Sequence, residues 1–430
     1  MPPKRSVESP SAPPKKTHPF FAAKEKKEEI GNLEWKVIGN SLLVGTRGLQ
    51  TPSATIAAFD FDGTITLANG THVFSKSPDD WMWVAKNTRE KLLDAHKRGF
   101  RIVILSNQKG LLDEGKKAAA FSKEAIFKGK VANVAASLDI PLLVLAALDD
   151  SEYRKPQTGM WDYLVSHCNG GISPDLEKSF YVGDAAGRPD RTVGGKVFKK
   201  DHSAADYRMA LNLGITFHVP EAFYEMDPLA TKHLPTWDFD PLNFVTTDEL
   251  YIPSDIPLIP TDLDGPELIL LVGPPASGKT SFTKKHLLPK NYVHINQDTL
   301  KDRKKCIKGT IESLKAGKSV AVDNTNPTAA VRKEYIAAAK ECGVTRVRAF
   351  YFTASVDLCL HNNYVRAKWT KGKGKGIERE RISTIVFHTF RKNFEEPNVD
   401  KEGLVEVRKI NFVPEFESEE EKAVWSKWYL

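Results

Sequence analysis

Thr55-Ile-Ala-Ala-Phe59 runs directly into Asp60-Phe-Asp62-Gly-Thr64, a short apolar stretch that stops on two carboxylates, a glycine and a hydroxyl. A brief apolar run bounded by turn formers reads as a strand buried on both faces, because a helix needs about ten residues or more. The figure recurs. Arg101-Ile-Val-Ile-Leu105 ends in Ser106-Asn107-Gln108, Leu142-Leu-Val-Leu-Ala146 follows, and Phe180-Tyr-Val182 ends in Gly183-Asp184, with helical patterns between them, as at 87–98. Strands alternating with helices predict βαβ units and an open parallel sheet, hence an α/β fold. Polar residues after successive strands gather at the C-terminal edge, where such sheets place their sites.

A second α/β pattern lies farther on. Glu267-Leu-Ile-Leu-Leu-Val272 enters a glycine loop, Ser319-Val-Ala-Val322 enters Asp323-Asn-Thr-Asn326, and Arg346-Val-Arg-Ala-Phe-Tyr-Phe352 is a further strand. Between the two patterns, 226–265 is broken by Pro228, Pro235, Pro241, Pro253, Pro257 and Pro260 and reads as a connecting segment. Residues 1–32 mix Pro, Ser and Lys and read as a disordered basic tail. The expected division is a tail at 1–32, a domain at 33–225, a connector at 226–265 and a second domain at 266–430.

The 430 residues suit two or three domains, and 41% hydrophobic with 27% charged residues excludes wholesale disorder. No apolar run is long enough to span a membrane, and the N-terminus lacks the apolar core of a secretory signal. Cys168, Cys306, Cys342 and Cys359 are scattered without metal or CxxC spacing, which argues against a zinc site or disulfide scaffold. The net charge of +7 is uneven: +3 in 1–30, −6 in 31–265 and +10 in 266–430. A basic C-terminal third suits a polyanionic partner. In the tail, Lys4-Arg5 and Lys15-Lys16 form a split basic pattern compatible with nuclear import, and Phe20-Phe21 compatible with docking to a partner.

Gly273-Pro274-Pro275-Ala276-Ser277-Gly278-Lys279-Thr280 matches G-x4-GK-[ST] in full, after a strand and before a helical stretch that starts through Ser281. Such a loop turns backbone N–H groups onto the phosphates of ATP, with Lys279 at the β/γ-phosphates and Thr280 on Mg²⁺. His294-Ile-Asn-Gln-Asp298 delivers a carboxylate nearby. Asp298 is suited to take a proton from an attacking hydroxyl or to cap the next helix. Asp323 is suited to orient Mg²⁺ or substrate, or to form a turn before Pro327. Arg366, in a helical frame before Lys371-Gly-Lys-Gly-Lys-Gly376, is placed to contact a transferring phosphoryl group under a basic lid.

In Asp60-Phe-Asp62, carboxylates at i and i+2 of an extended segment point the same way and call for a hard cation such as Mg²⁺. One carboxylate can attack phosphorus and the other can serve the leaving oxygen. Ser106 follows a strand and is placed for phosphate oxygens, Lys155 for charge neutralisation, and Asp184 as a third carboxylate for the cation.

These residues resemble the haloacid-dehalogenase-type phosphatases, whose signature is DxDGT. The resemblance implies Asp60 as nucleophile, Asp62 as general acid/base, Ser106 and Lys155 as the second and third motif residues, and Asp60, Asp62 and Asp184 around Mg²⁺. A DxDGT phosphatase followed by a P-loop kinase further resembles the eukaryotic polynucleotide kinase 3′-phosphatase family. The matching segments also include Tyr181-Val-Gly-Asp-Ala-Ala-Gly-Arg188, Asp323-Asn-Thr-Asn-Pro327 and His361-Asn-Asn363. The family implies a haloacid-dehalogenase-like Rossmann-type sheet followed by a P-loop NTPase-type kinase domain. It also implies removal of 3′-phosphates from DNA ends and ATP-dependent phosphorylation of 5′-hydroxyls, with Asp298 as base. Nuclear DNA repair is the expected setting, and RNA-end healing is the alternative. About 35 to 50 residues precede the phosphatase, too few for the forkhead-associated domain of animal members. Recruitment is therefore expected to run through another route, such as scaffold or clamp docking by the tail. Gln297 stands where the family often has Arg, so no role of that Arg carries over.

Overall fold

The computed structural model describes residues 31–111, 121–193, 196–227, 229–246, 249–260, 264–371 and 378–430. Most of the tail, with Phe20-Phe21, and the Gly/Lys run at 372–377 lie outside the described residues. The N-terminal sheet contains β1 (Glu34–Ile38), β2 (Leu42–Arg47), β3 (Ile56–Phe59), β4 (Arg101–Asn107), β5 (Leu142–Ala147), β6 (Phe180–Val182) and β7 (Thr216–His218). Its order is β1-β2-β5-β4-β3-β6-β7, antiparallel across β1-β2-β5 and parallel from β5 to β7. The chain runs from β3 to β4 on one side and returns to β6 on the other. The end of β3, where Asp60 lies, is therefore the topological switch point at which a crevice opens.

The expected two-sided burial is present. On β3, Ala57 and Phe59 join one apolar layer and Ile56 and Ala58 the other. On β5, Val144 and Ala146 face the first layer, and Leu143 and Leu145 the second. Helices α1 (Thr88–Lys97) and α2 (Lys123–Leu138) cover the first layer, and α3 (Ala205–Leu213) the second. Ser122 caps α2 by accepting from the Ala125 N–H at 3.1 Å, and Asp139 ends it at a left-handed φ of 52°.

The C-terminal sheet contains β8 (Tyr251–Ile252), β9 (Leu268–Val272), β10 (Val293–Ile295), β11 (Val320–Asp323), β12 (Val347–Phe352) and β13 (Glu406–Ile410). Its order is β8-β13-β12-β9-β11-β10, all parallel except for the antiparallel β8. Here β9 lies between strands reached in opposite directions, and the glycine loop follows it. The helices include α4 (Lys279–Phe282), α5 (Gln297–Leu300), α6 (Arg303–Lys315), α7 (Ala329–Glu341), α8 (Val356–Thr370), α9 (Thr384–Asn393) and α10 (Glu419–Trp425).

The 226–265 segment departs from the sequence expectation of a connector. Tyr251-Ile252 pairs with Ile410 and Lys409, and Trp237, Phe239 and Phe244 pack with Trp425 and Trp428. Arg348 and Arg408 reach out of the sheet to the carbonyls of Leu258 and Ile256, at 2.9 Å and 2.8 Å. Its aromatic residues bury too much apolar surface to remain in solvent.

Candidate functional site

Asp60 ends β3 and is almost buried. Its N–H donates to the Val182 carbonyl at 2.9 Å, and its Oδ1 accepts from Lys155 Nζ at 2.6 Å. That ammonium also contacts Asp206 Oδ1 at 2.7 Å, the Leu105 carbonyl at 2.8 Å and the Tyr181 hydroxyl at 2.8 Å. Asp206 stands in the first turn of α3, and its Oδ2 accepts from the Ala185 N–H at 3.0 Å. Among the described residues, Asp60, Asp184 and Asp206 bring carboxylate oxygens within 4.8 Å of one another.

Two glycines make room for this cluster. A Cβ on Gly183 would lie 2.5 Å from the Asp206 carboxyl group, and one on Gly63, at φ +84°, 2.5 Å from Asp184 Oδ2. Burial pushes the Asp60 carboxyl up to about 7 against the pull of Lys155, with Asp206 adding to the rise. Burial, then Asp60 and Asp206, hold Asp184 well above the ordinary carboxylate range. Burial alone would lower Lys155, but Asp206 and Asp60 hold it above its usual value. Crowded, desolvated carboxylates of this kind suit a hard divalent cation.

Asp62 does not join the cluster. Lys130, from α2, donates to its Oδ1 at 2.6 Å, and Gln108 donates to its Oδ2 at 2.8 Å. These two groups engage both oxygens of the half-exposed side chain, and the carboxylates that cluster are those of Asp60, Asp184 and Asp206 rather than the expected Asp60, Asp62 and Asp184. Gln108 also donates to Ser106 Oγ at 2.9 Å, which ties the serine into the same rim. Thr64 Oγ1 accepts from the Asp184 N–H at 3.0 Å. Asp206, outside the cation set expected from the sequence, is central to the cluster. Lys130, Gln108 and Tyr181 carried no signal beyond their place in a helix, a turn and an apolar run.

The second site forms after β9. Ala276 (φ 58°) and Gly278 (φ 93°) turn the loop in left-handed conformations before α4. Among the described residues, the N–H groups of Ser277, Gly278, Lys279 and Thr280 make no hydrogen bond and are free to receive an anion. Lys279 Nζ folds back on the Gly273 and Pro274 carbonyls at 3.0 Å and 2.6 Å. Burial pulls this ammonium down to about 8, with Asp323 opposing.

Asp323 ends β11, and its Oδ2 accepts from Thr280 Oγ1 at 2.7 Å and meets His294 Nε2 at 2.9 Å. Burial would raise this carboxyl, but the His294 and Thr280 bonds and Lys279 outweigh it and hold it low. Asn296, not Asp298, caps α5, accepting from the Asp298 and Thr299 N–H groups at 2.7 Å and 3.3 Å. The exposed Asp298 carboxylate therefore faces solvent in the first helical turn. Arg366, on α8, donates to Asn363 Oδ1 at 3.2 Å. Burial lowers its guanidinium, as does Arg379, while Asp298 pulls it up. Asn362 joins α8 to the loop by donating to the Ala276 carbonyl at 3.2 Å, and Trp425 Nε1 donates to Asn362 Oδ1 at 2.8 Å.

A family described as polynucleotide kinase 3 phosphatase matches residues 55–224, and one described as AAA domain matches residues 268–397. The Schizosaccharomyces pombe bifunctional polynucleotide phosphatase/kinase is 32% identical over 399 residues, covering 92% of this chain and 88% of that one. This chain belongs to the bifunctional polynucleotide phosphatase/kinase family. Its phosphatase half is further similar to the Arabidopsis thaliana polynucleotide 3′-phosphatase ZDP, 32% identical over 202 residues, covering 44% of this chain and 27% of that one. Among solved structures, D,D-heptose 1.7-bisphosphate phosphatase from B. bronchiseptica is 19% identical, covers 42% of this chain and 88% of that one, and has a TM-score of 0.29. The chain joins a polynucleotide 3′-phosphatase half to a P-loop kinase half, and each half places its candidate residues at the switch point of its own sheet.

Proposed function

We propose that the chain repairs DNA ends, removing 3′-phosphates at the Asp60 pocket and phosphorylating 5′-hydroxyls from ATP at the glycine loop, to leave termini that a ligase accepts. The observation that carries the reading is the buried Asp60–Lys155 pair at 2.6 Å, beside Asp184, on the same chain as an open P-loop.

In the phosphatase reaction an Asp60 oxygen bonds to phosphorus as the bond to the 3′-oxygen breaks, and Asp62 passes a proton to the departing oxygen. Water then attacks the aspartyl-phosphate, yields its proton to Asp62, and releases phosphate. Lys155 and Ser106 hold the phosphoryl oxygens, and Asp206 and Tyr181 hold Lys155. Asp60 and Asp184 are the residues that would hold Mg²⁺, while both oxygens of Asp206 are already engaged. Bound there, the ion supplies positive charge that offsets the phosphate and favours ionised Asp60.

In the kinase reaction the N–H groups of Ser277, Gly278, Lys279 and Thr280 and the Lys279 ammonium hold the ATP phosphates, and Thr280 with Asp323 would hold Mg²⁺. Asp298 takes the proton of the 5′-hydroxyl, and Arg366 faces the transferring group. The net charge of +10 in 266–430 supports a polyanionic substrate. The basic tail supports a nuclear location and a route to scaffold or clamp partners.

The test is a nicked duplex bearing a 3′-phosphate and a 5′-hydroxyl, incubated with ATP and Mg²⁺ and then with a DNA ligase. Sealing is expected. Faster processing of a matched RNA end in direct competition would overturn the DNA assignment.

A further inference from the structure

The stretch Lys155-Pro156-Gln157 is gripped from three directions. Asn107 takes both main-chain groups of Lys155, accepting from its N–H at 2.9 Å and donating to its carbonyl at 3.1 Å. Asn212, at the end of α3, donates Nδ2 to the Pro156 carbonyl at 2.9 Å. Gln157 Oε1 accepts from Lys368 Nζ at 2.8 Å, and Lys368 lies on α8 in the kinase half.

Asn212 is itself held from the kinase half. Its Nδ2 donates to the Trp428 carbonyl at 2.8 Å, and the Trp428 N–H donates to its Oδ1 at 2.8 Å. Both amide hydrogens and the amide oxygen are thereby engaged. Arg208, one turn earlier on α3, lays its guanidinium 4.2 Å from the Trp428 ring and 4.7 Å from the Trp237 ring. It also donates to the Leu430 carbonyl. The first turn of the same helix carries Asp206, the partner of the Lys155 ammonium. One helix thus holds the Lys155 ammonium through Asp206 and the neighbouring Pro156 carbonyl through Asn212, and the C-terminal segment of the kinase half fixes the helix.

We infer that Asn212 and the segment Trp428-Tyr-Leu430 are positioning residues for Lys155, so that the kinase half of the chain sets the turnover of the phosphatase half. The inference rests on the reading of Asp60 and Lys155 as the phosphatase centre. Lys155 acts as a charge placed against developing oxyanions, and such groups lose effect with small displacements. Neither Asn212 nor Trp428 touches Asp60 or the P-loop in this arrangement, so their effect passes through the Lys155 main chain.

The experiment uses the full chain with Asn212→Leu, Asn212→Leu combined with Lys368→Met, and Trp428→Phe. Each is assayed for phosphatase kcat and KM on a 3′-phosphate oligonucleotide, for hydrolysis of p-nitrophenyl phosphate, for kinase turnover, and for thermal unfolding. Asn212→Leu is expected to lower phosphatase kcat about tenfold, on the scale of a misplaced catalytic group. KM and kinase turnover stay within about twofold, and the combined variant falls further. Trp428→Phe keeps the main-chain clasp and is expected to lower phosphatase kcat less than Asn212→Leu does. An unchanged phosphatase kcat in both Asn212 variants overturns the inference, as does a parallel fall of both activities that tracks loss of folded protein. If the unaltered chain cleaves p-nitrophenyl phosphate but not the 3′-phosphate, the substrate reading fails, and the p-nitrophenyl phosphate rates decide the inference by the same criteria.

Discussion

At Gly183 a single methyl group stands between a working and a displaced Lys155. The added carbon would lie 2.5 Å from the Asp206 carboxyl group, well inside contact distance, so Asp206 must leave Lys155 or the β6 end must shift. Gly183→Ala is therefore expected to lower 3′-phosphatase kcat by about tenfold or more and to leave kinase turnover unchanged. Paired initial-rate assays check this. His361 is another residue whose surroundings dictate a measurable property. It is buried against Phe239 and Trp425, with its Nε2 donating to the Trp425 carbonyl at 2.7 Å, and burial pulls it down to about 4. The unfolded chain binds this proton near pH 6.5 and the folded chain only near pH 4, so stability is full above pH 6.5 and falls as the pH drops between the two. At about 1.4 kcal/mol per unit, the loss approaches 3 kcal/mol at pH 4. His361→Gln is expected to flatten that part of the pH dependence of urea unfolding. Asp60, Asp184 and Lys155 were legible in the sequence because each follows a strand end with a characteristic partner. Asp206 was not, because distance along the chain hid the return of α3 to the end of β6.

Among elements, the strap at 249–260 carries the clearest lesson. Its prolines read as a connector, yet Tyr251-Ile252 completes the kinase sheet, and Pro253 is tolerated because β8 is an edge strand. A two-residue strand leaves no periodicity to detect, and its anchors, Arg348 and Arg408, lie far away in the chain. Arg348 is buried and pairs with the fully buried Glu267 through bonds of 2.6 Å and 2.9 Å. Arg348→Met leaves that carboxylate short of its main partner, a change that typically costs about 3–5 kcal/mol. Thermal unfolding is expected to show the loss, while the 3′-phosphatase of the surviving folded fraction keeps its kcat. By contrast, β3 and β9 were readable, because a continuous apolar run ending in a motif has few other interpretations.

Across the whole molecule, two sheets present their switch points in one chain. The buried Arg332, Arg348 and Arg408 are neutralised by Glu402, Glu267 and Glu406, so these three add nothing to the excess positive charge of the kinase half. Binding of a DNA end is accordingly expected to weaken linearly in log affinity against log salt, as measured by fluorescence anisotropy with a labelled nicked duplex. A flat dependence would point away from a polyanion. Among the described residues no helix is long and apolar enough to cross a membrane. Two separate phosphoryl sites act on opposite termini of a break. This separation is tested most directly by following both ends of one nicked duplex with Asp60→Asn and Lys279→Ala. Asp60→Asn is expected to keep the 3′-phosphate while gaining a 5′-phosphate, and Lys279→Ala to do the opposite. Loss of both reactions in either variant, with the protein still folded, would contradict it.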